Sequence, residues 1–175
     1  MPHTADKMQT MREHVFVFDS ATLSNFYLIG AQDVLLRRYK RRMVIPWEVF
    51  DEVSSGVMRS PRLKLFAGHV AAKNIKVATL SRKEQALYLS LIESLGKGEA
   101  ACLAMARRRA WTVATDDKAA RRECTALNVA YTGIIGILKV CCMDNQIPVE
   151  TADYMLQMMV DEGFYSPVRS ISGIL

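Results

Sequence analysis

Residues 111–138 read WTVATDDKAARRECTALNVAYTGIIGIL, and their order decides the fold class. Trp111 to Thr115 is a short apolar and β-branched run that ends in Asp116-Asp117. Lys118 to Leu127 has helical composition, Val129 to Tyr131 reads as a second strand, and Gly133 to Cys142 reads as another helix. A strand, a crossover helix and a strand in so short a span form a parallel unit, because antiparallel neighbours need only a tight turn. The same alternation extends toward both termini. Val15 to Phe18 is a buried strand ending at Asp19, and Ser20 caps a helix through Asn25 to Ile29 that Gly30 stops. A helix over about Asp33–Tyr39, a strand over Met43–Ile45 and a helix over Trp47–Val53, opened by Pro46, follow. Ser54 to Ser60 has turn composition and reads as mobile. Pro61 to Lys73 is helical and Ile75 to Leu80 extended. Ser81 and Glu84 then form a capping box for a helix whose Leu87, Leu91 and Leu95, with Tyr88 and Ile92, share one face. Gly96 and Gly98 break the chain before an alanine-rich helix from Glu99 to Arg109. The last helix carries Val149, Ala152, Leu156, Met159 and Val160 on one side, widened by Met155 and Met158. Such alternation implies right-handed crossovers. The expected fold class is α/β: a single-domain three-layer α/β/α sandwich with a short, mostly parallel sheet over residues 14–175, after a flexible N-terminal arm over 1–13.

Length and composition bound the function. A chain of 175 residues supports one core, and no apolar run approaches the roughly 18 residues that span a bilayer. The polar start, MPHTADKMQTMREH, lacks the apolar stretch of a secretory signal. The four cysteines, at 102, 124, 141 and 142, have neither zinc-site spacing nor a disulfide pattern. A reducing, cytoplasmic setting is expected, with no membrane role. Basic residues outnumber acidic ones, 23 to 18, and they are grouped: Arg37 to Arg42, Arg107 to Arg109, and Arg121-Arg122. Grouped cations are either solvated helix faces or a surface for polyanions.

In open α/β sheets, sites form beyond the carboxyl ends of the strands. Two of the best strands end in acid, Asp19 and Asp116-Asp117, and two further acids sit on helices that face the same crevice, Glu52 and Glu99. An aspartate at a strand end also serves as a helix cap, so one such residue alone is weak. Clustered carboxylates repel by roughly 4 kcal/mol per pair at 4 Å. A hard divalent cation such as Mg²⁺ or Mn²⁺ relieves that repulsion through oxygen ligands. The tract GKGE at 96–99 lacks the rest of a phosphate-binding P-loop. His3, His14 and His69 are scattered, and Cys141-Cys142 lies in an apolar helix where packing explains it.

Taken together, VFDSATLSNFYLIG (17–30), VIPWEVFDEV (44–53), LGKGEAACLAMARRR (95–109) and TVATDDKAARRECTALNVAYTGIIGIL (112–138) resemble the PIN-domain superfamily. More narrowly, they resemble its VapC-like toxin branch, and the similarity covers about residues 14–165. The resemblance implies a metal-dependent ribonuclease with an acidic Mg²⁺ or Mn²⁺ site. By motif, Asp19 matches the first family acid, Glu52 the helix glutamate and Glu99 the acid of the G-E-A element. Asp116 and Asp117 both stand where the last acids occur, and the motif does not choose between them. Asp19, Glu99, Asp116 and Asp117 are therefore the metal-ligand candidates, with Glu52 a ligand or a group holding the attacking water. Ser20 and Thr115 match supporting hydroxyl positions. The usual D-[ST]-N opening is altered here, because Ala21 and Thr22 follow Ser20. Candidate RNA contacts are Arg41, Arg42, Lys97, Arg107, Lys118 and Arg121. The resemblance also implies a homodimer and neutralisation by a small antitoxin protein. Core packing explains the Met-rich last helix and Tyr27-Leu28-Ile29 as well as an interface does.

The rival readings are a non-catalytic PIN-like module that binds RNA or protein, and another phosphotransfer enzyme on a doubly wound sheet. A dehalogenase-type phosphatase needs D-x-D after the first strand, where this chain has Asp19, Ser20 and Ala21. A receiver domain needs its acids in a different order.

Overall fold

The computed structural model describes residues 14–56 and 60–175; the N-terminal arm expected over 1–13 lies outside them, as do His3 and residues 57–59. Five strands form one all-parallel sheet: β1 (Phe16–Phe18), β2 (Met43–Pro46), β3 (Lys76–Ala78), β4 (Thr112–Ala114) and β5 (Tyr131–Thr132), in the order β3-β2-β1-β4-β5. All four strand pairings are parallel, with Val17 opposite both Val44 and Val113. The helices are α1 (Ser20–Leu28), α2 (Gln32–Arg38), α3 (Trp47–Gly56), α4 (Lys64–Ala71), α5 (Arg82–Leu91), α6 (Lys97–Arg109), α7 (Lys118–Ala126), α8 (Ile134–Met143) and α9 (Val149–Asp161).

The chain builds outward from β1 in one direction, through β2 to β3, then returns across the sheet to β4 and β5. The right-handed rule places α1–α4 on one face and α5–α7 on the other, which gives the three-layer sandwich. Direction reverses between β1 and β4, so a crevice opens beyond their carboxyl ends. The central strands are apolar because they are buried on both faces: β2 and β4 are buried throughout, as are Val17 and Phe18. Helix α6 lies against β1, β2 and β4 and is buried without a break from Ala100 to Ala106. Its four alanines in that stretch let backbone approach sheet closely where larger side chains would hold it off.

Local chemistry shifts several boundaries. Asp19, not Ser20, caps α1, accepting the Thr22 N–H at 2.7 Å. Helix α3 continues to Gly56, beyond the expected stop at Val53, so the first part of Ser54–Ser60 is helix. Pro46 closes β2 rather than opening α3. The expected helix over Pro61–Lys73 divides into a 3-10 turn, Pro61–Leu63, and α4. Asn128 adopts a left-handed backbone (φ 52°), which delays β5 to Tyr131. Gly96 caps α6 and Gly98 lies inside it, so these glycines do not interrupt the chain.

The capping box is formed, with Ser81 and Glu84 bonded reciprocally at the start of α5. Glu84 has a second task. Its carboxylate takes a two-pronged bond from the Arg109 guanidinium, 2.6 Å from Nε and 2.8 Å from Nη2, joining the start of α5 to the end of α6. Arg109 also stacks on Trp111, 4.8 Å from the ring centre. The Arg109 bond, helped by the Ser81 N–H, holds the Glu84 carboxyl down from the usual 4.5 to about 2. A depressed folded pKa contributes stability that is complete above pH 4.5 and lost as pH falls through 2. Glu84→Gln should therefore cost about 3 kcal/mol at neutral pH. Urea unfolding of both proteins from pH 6 to pH 2 should show the difference shrinking below pH 4.5.

Candidate active site

All five candidate acids stand at the carboxyl end of the sheet. Asp19 follows β1 and Asp116-Asp117 follow β4, its neighbour in the sheet. Glu52 reaches in from α3, and Glu99 from the first turn of α6.

Asp19 is the deepest, at 1% exposure. Its N–H donates to the Ala114 carbonyl, prolonging the β1–β4 ladder one residue beyond the strands. Its Oδ1 caps α1, while Oδ2 is buried with no hydrogen-bond partner. Burial pushes the Asp19 carboxyl up to about 6; the Thr115 and Thr22 contacts oppose that rise, and nearby Glu99 adds to it. Burial also raises Glu99, with further repulsion from Glu52 and Asp117.

The remaining acids differ in how far the protein already occupies them. Glu52 accepts the Ser20 hydroxyl at 2.6 Å and the Gly98 N–H at 3.2 Å, bracing α3 against the starts of α1 and α6. The Ser20 hydroxyl thus supports Glu52, while Thr115 faces Asp19 and accepts the Asp117 N–H at 3.2 Å. Asp116 accepts from Arg121 at 2.8 Å, from the Ile134 N–H at 2.9 Å and from Thr22 Oγ1 at 3.4 Å. Arg121 also donates to the Thr115 carbonyl at 2.9 Å. Asp117 caps α7 through the Ala120 N–H at 2.7 Å and is otherwise exposed.

Glycines make room for this packing. A Cβ on Gly98 would meet Glu52 Oε2 at 2.9 Å, one on Gly96 would strike the Glu99 carboxylate, and one on Gly133 would strike Asp116 and Arg121. The contacts of these glycines and of Thr22 with the acids are not read from the sequence. Gly133 sits in the Thr-Gly-x-x-Gly run beside the acids, but only the folded chain brings it against Asp116. Thr22 stands where the usual opening is altered, and it serves two of the acids.

The candidate RNA contacts divide between the two ends of the sheet. Lys97 and Lys118 are exposed beside the acids, and Arg121 is held by Asp116. Arg41 and Arg42 precede β2, so they stand at its amino end, and Arg42 lies over the Phe16 and Tyr39 rings. Arg107 follows Glu99 on α6 by eight residues, about 12 Å along the axis. His14 and His69 bond to Thr112 and Tyr27, and neither is among the groups that bond or perturb the acids. Cys102, Cys124 and Cys141 are buried free thiols; Tyr27 and Ile29 are core residues.

Among the described residues, no three acidic, histidine or cysteine side chains converge in a ready-made metal cage. The donor set nevertheless suits a hard cation. Oxygen ligands surround the crevice, Asp19 Oδ2 lacks a partner, and Asp19 and Glu99 are both destabilised as anions by burial and mutual repulsion. Because the folded pKa of Asp19 lies above its usual 3.8, ionising it opposes folding as pH rises from 4 through 6. In chelator, Asp19→Asn should raise stability by roughly 2–3 kcal/mol at pH 8 and change it little at pH 4. Thermal or urea unfolding at the two pH values would show it.

A search of curated proteins finds no match to this chain. A family profile described as a PIN domain matches residues 15–175, nearly the whole chain. That span contains β1 to β5 and all five acids, and this chain, with its nuclease-type fold, belongs to the PIN-domain family.

Proposed function

We propose that this protein is a ribonuclease dependent on Mg²⁺ or Mn²⁺, hydrolysing RNA phosphodiester bonds in the crevice between β1 and β4. The observation that carries it is the buried Asp19 carboxylate, whose Oδ2 has no partner and which is raised to about 6 at the carboxyl end of β1. A buried carboxylate with one oxygen unpaired, beside a second raised acid, costs stability, and such groups gather at functional sites.

Asp19, Glu99 and Asp117 would hold the cation. Asp117 is preferred to Asp116 because Asp116 is already bonded by Arg121, Ile134 and Thr22, whereas Asp117 acts electrostatically on Glu99. A bound ion would supply neutralisation of the phosphodiester's charge and activation of water at neutral pH. The chain's own groups set the geometry. Glu52, fixed by Ser20 and Gly98, keeps α3 and α6 in register and presents its carboxylate at the rim as an acceptor for the attacking water. Arg121 and the Ile134 N–H lock Asp116, which secures the turn carrying Asp117. Lys97 and Lys118 offer ammonium groups to phosphate oxygens.

A toxin-type role, in a VapC-like pair with a small antitoxin closing the crevice over a homodimer, rests on the sequence resemblance. Induced expression should arrest growth, and Asp19→Asn should abolish the arrest. The second reading, a non-catalytic PIN-like module for RNA or protein, is favoured by the lack of a preassembled three-carboxylate cage among the described residues.

Purified protein incubated with a labelled mixed RNA pool in Mn²⁺, Mg²⁺ or EDTA decides between them. Cleavage is expected only with metal. Asp19→Asn, Glu99→Gln and Asp117→Asn should each lower it by more than the roughly 10- to 100-fold expected for Glu52→Gln. Asp116→Asn should lower stability more than it lowers metal affinity. Cleavage that survives EDTA and Asp19→Asn overturns the assignment. RNA affinity indifferent to chelator, without turnover, establishes the binding module.

A further inference from the structure

A cleft of about 670 Å³ continues from the acids along α1 to the segment after α9, with Asp116, Asp117 and Lys118 on one wall and Glu162 and Tyr165 on the other. Tyr165 is 78% exposed, the most exposed large hydrophobic side chain among the described residues. Single exposed apolar residues are ordinary on protein surfaces. Three features set this one apart. Its ring lies 5.7 Å from the Lys118 ammonium, so a cation from the helix that Asp117 caps already sits on its face. It lines the same cleft as two of the acids.

The backbone that presents it is also fixed. Gly163 takes a left-handed conformation, φ +103°, that turns the chain out of α9. Phe164 donates its N–H to the Met159 carbonyl at 2.9 Å and packs its ring on the core. Beyond Tyr165, the Ser166 hydroxyl donates to the Val168 carbonyl at 2.6 Å and accepts the Val168 N–H at 3.3 Å. Farther on, Ile171 is fully buried, Asp153 accepts the Ile171 and Ser172 N–H groups, and Lys139 donates to the Ile174 carbonyl. An aromatic side chain on an anchored backbone has only its own two torsions to lose when something flat stacks on it.

We propose that Tyr165 is the stacking platform for a nucleobase of single-stranded RNA beside the cleaved phosphate, with Lys118 holding the adjoining phosphate. The inference rests on the ribonuclease reading and names its substrate class. Charge sorts the parts of the nucleotide. Glu162 repels phosphate from the wall that carries Tyr165 and leaves the uncharged base as the group that enters there, while Lys118 stands at the edge where the backbone passes. Bases in a duplex are stacked on both faces and present no free ring, so the platform selects unpaired RNA. Stacking tolerates every base, so sequence preference from this contact is weak.

The test compares wild type, Tyr165→Phe, Tyr165→Ala and Lys118→Gln on one labelled oligoribonucleotide, offered unpaired and as the same sequence in a duplex. Binding is read by fluorescence anisotropy in EDTA, and KM and kcat for cleavage are read in Mn²⁺. Tyr165→Ala should weaken unpaired RNA, in Kd or KM, by roughly five- to a hundred-fold, and Tyr165→Phe should restore it. Lys118→Gln should reduce the slope of log affinity against log salt by about 0.7. Tyr165 is exposed, so circular dichroism should show the alanine variant folded. Metal-dependent cleavage with unchanged Kd and KM in Tyr165→Ala, or equal affinity for the duplex, overturns this inference and leaves the ribonuclease reading standing. Wild type that neither binds nor cleaves RNA overturns both.

Discussion

The parallel pairing of β1 with β4 is the constraint on which the rest depends. It is carried past the strand ends by the Asp19 N–H bonded to the Ala114 carbonyl, and the Thr115 N–H bonded to the Thr132 carbonyl prolongs the neighbouring β4–β5 pairing in the same way. Those bonds place a carboxylate where the sheet reverses direction, and bury it there. The cost is visible in the raised pKa of Asp19 and in its unpaired oxygen. Helix α6, packed tightly through its alanines, brings Glu99 to the same place and makes the electrostatic tension shared.

The acids are not equivalent. Glu52 and Asp116 are occupied by protein donors and hold elements together; Asp19 is half satisfied, and Asp117 caps a helix while facing solvent. Within one cluster, then, some carboxylates are held by the protein and others are left open. Likewise, the net positive charge does not gather at the crevice. The arginines before β2 and at the end of α6 lie toward the amino ends of the strands, leaving Lys97 and Lys118 as the exposed cations named near the acids.

Much of the fold was legible. Short apolar strands alternating with helices led to the parallel sandwich, and the Ser81–Glu84 box was readable because its partners lie three residues apart. The boundaries that slipped did so for local reasons: an aspartate displaced the neighbouring serine as cap, and Asn128 took a left-handed turn ahead of β5. The places of Asp19, Asp116 and Asp117 after strands and of Glu99 at a helix start were also legible, since strand ends and helix starts are marked in the chain; Glu52 lies inside α3, where neither mark stands. Their division of labour was not, because the donors to Glu52 lie 32 and 46 residues away and one donor to Asp116 lies 94 residues away.

The sequence by itself determined the alternation of elements, the acids that end the strands and the motifs that resemble a PIN domain, because each is written in neighbouring residues. Only the tertiary structure decided that Asp116 is clamped by Arg121, that glycines clear space for carboxylates, that the arginines before β2 and at the end of α6 lie toward the amino ends of the strands, and that Tyr165 stands over Lys118. Each of these depends on where distant segments meet, and that is set by strand order and crossover handedness rather than by any local pattern.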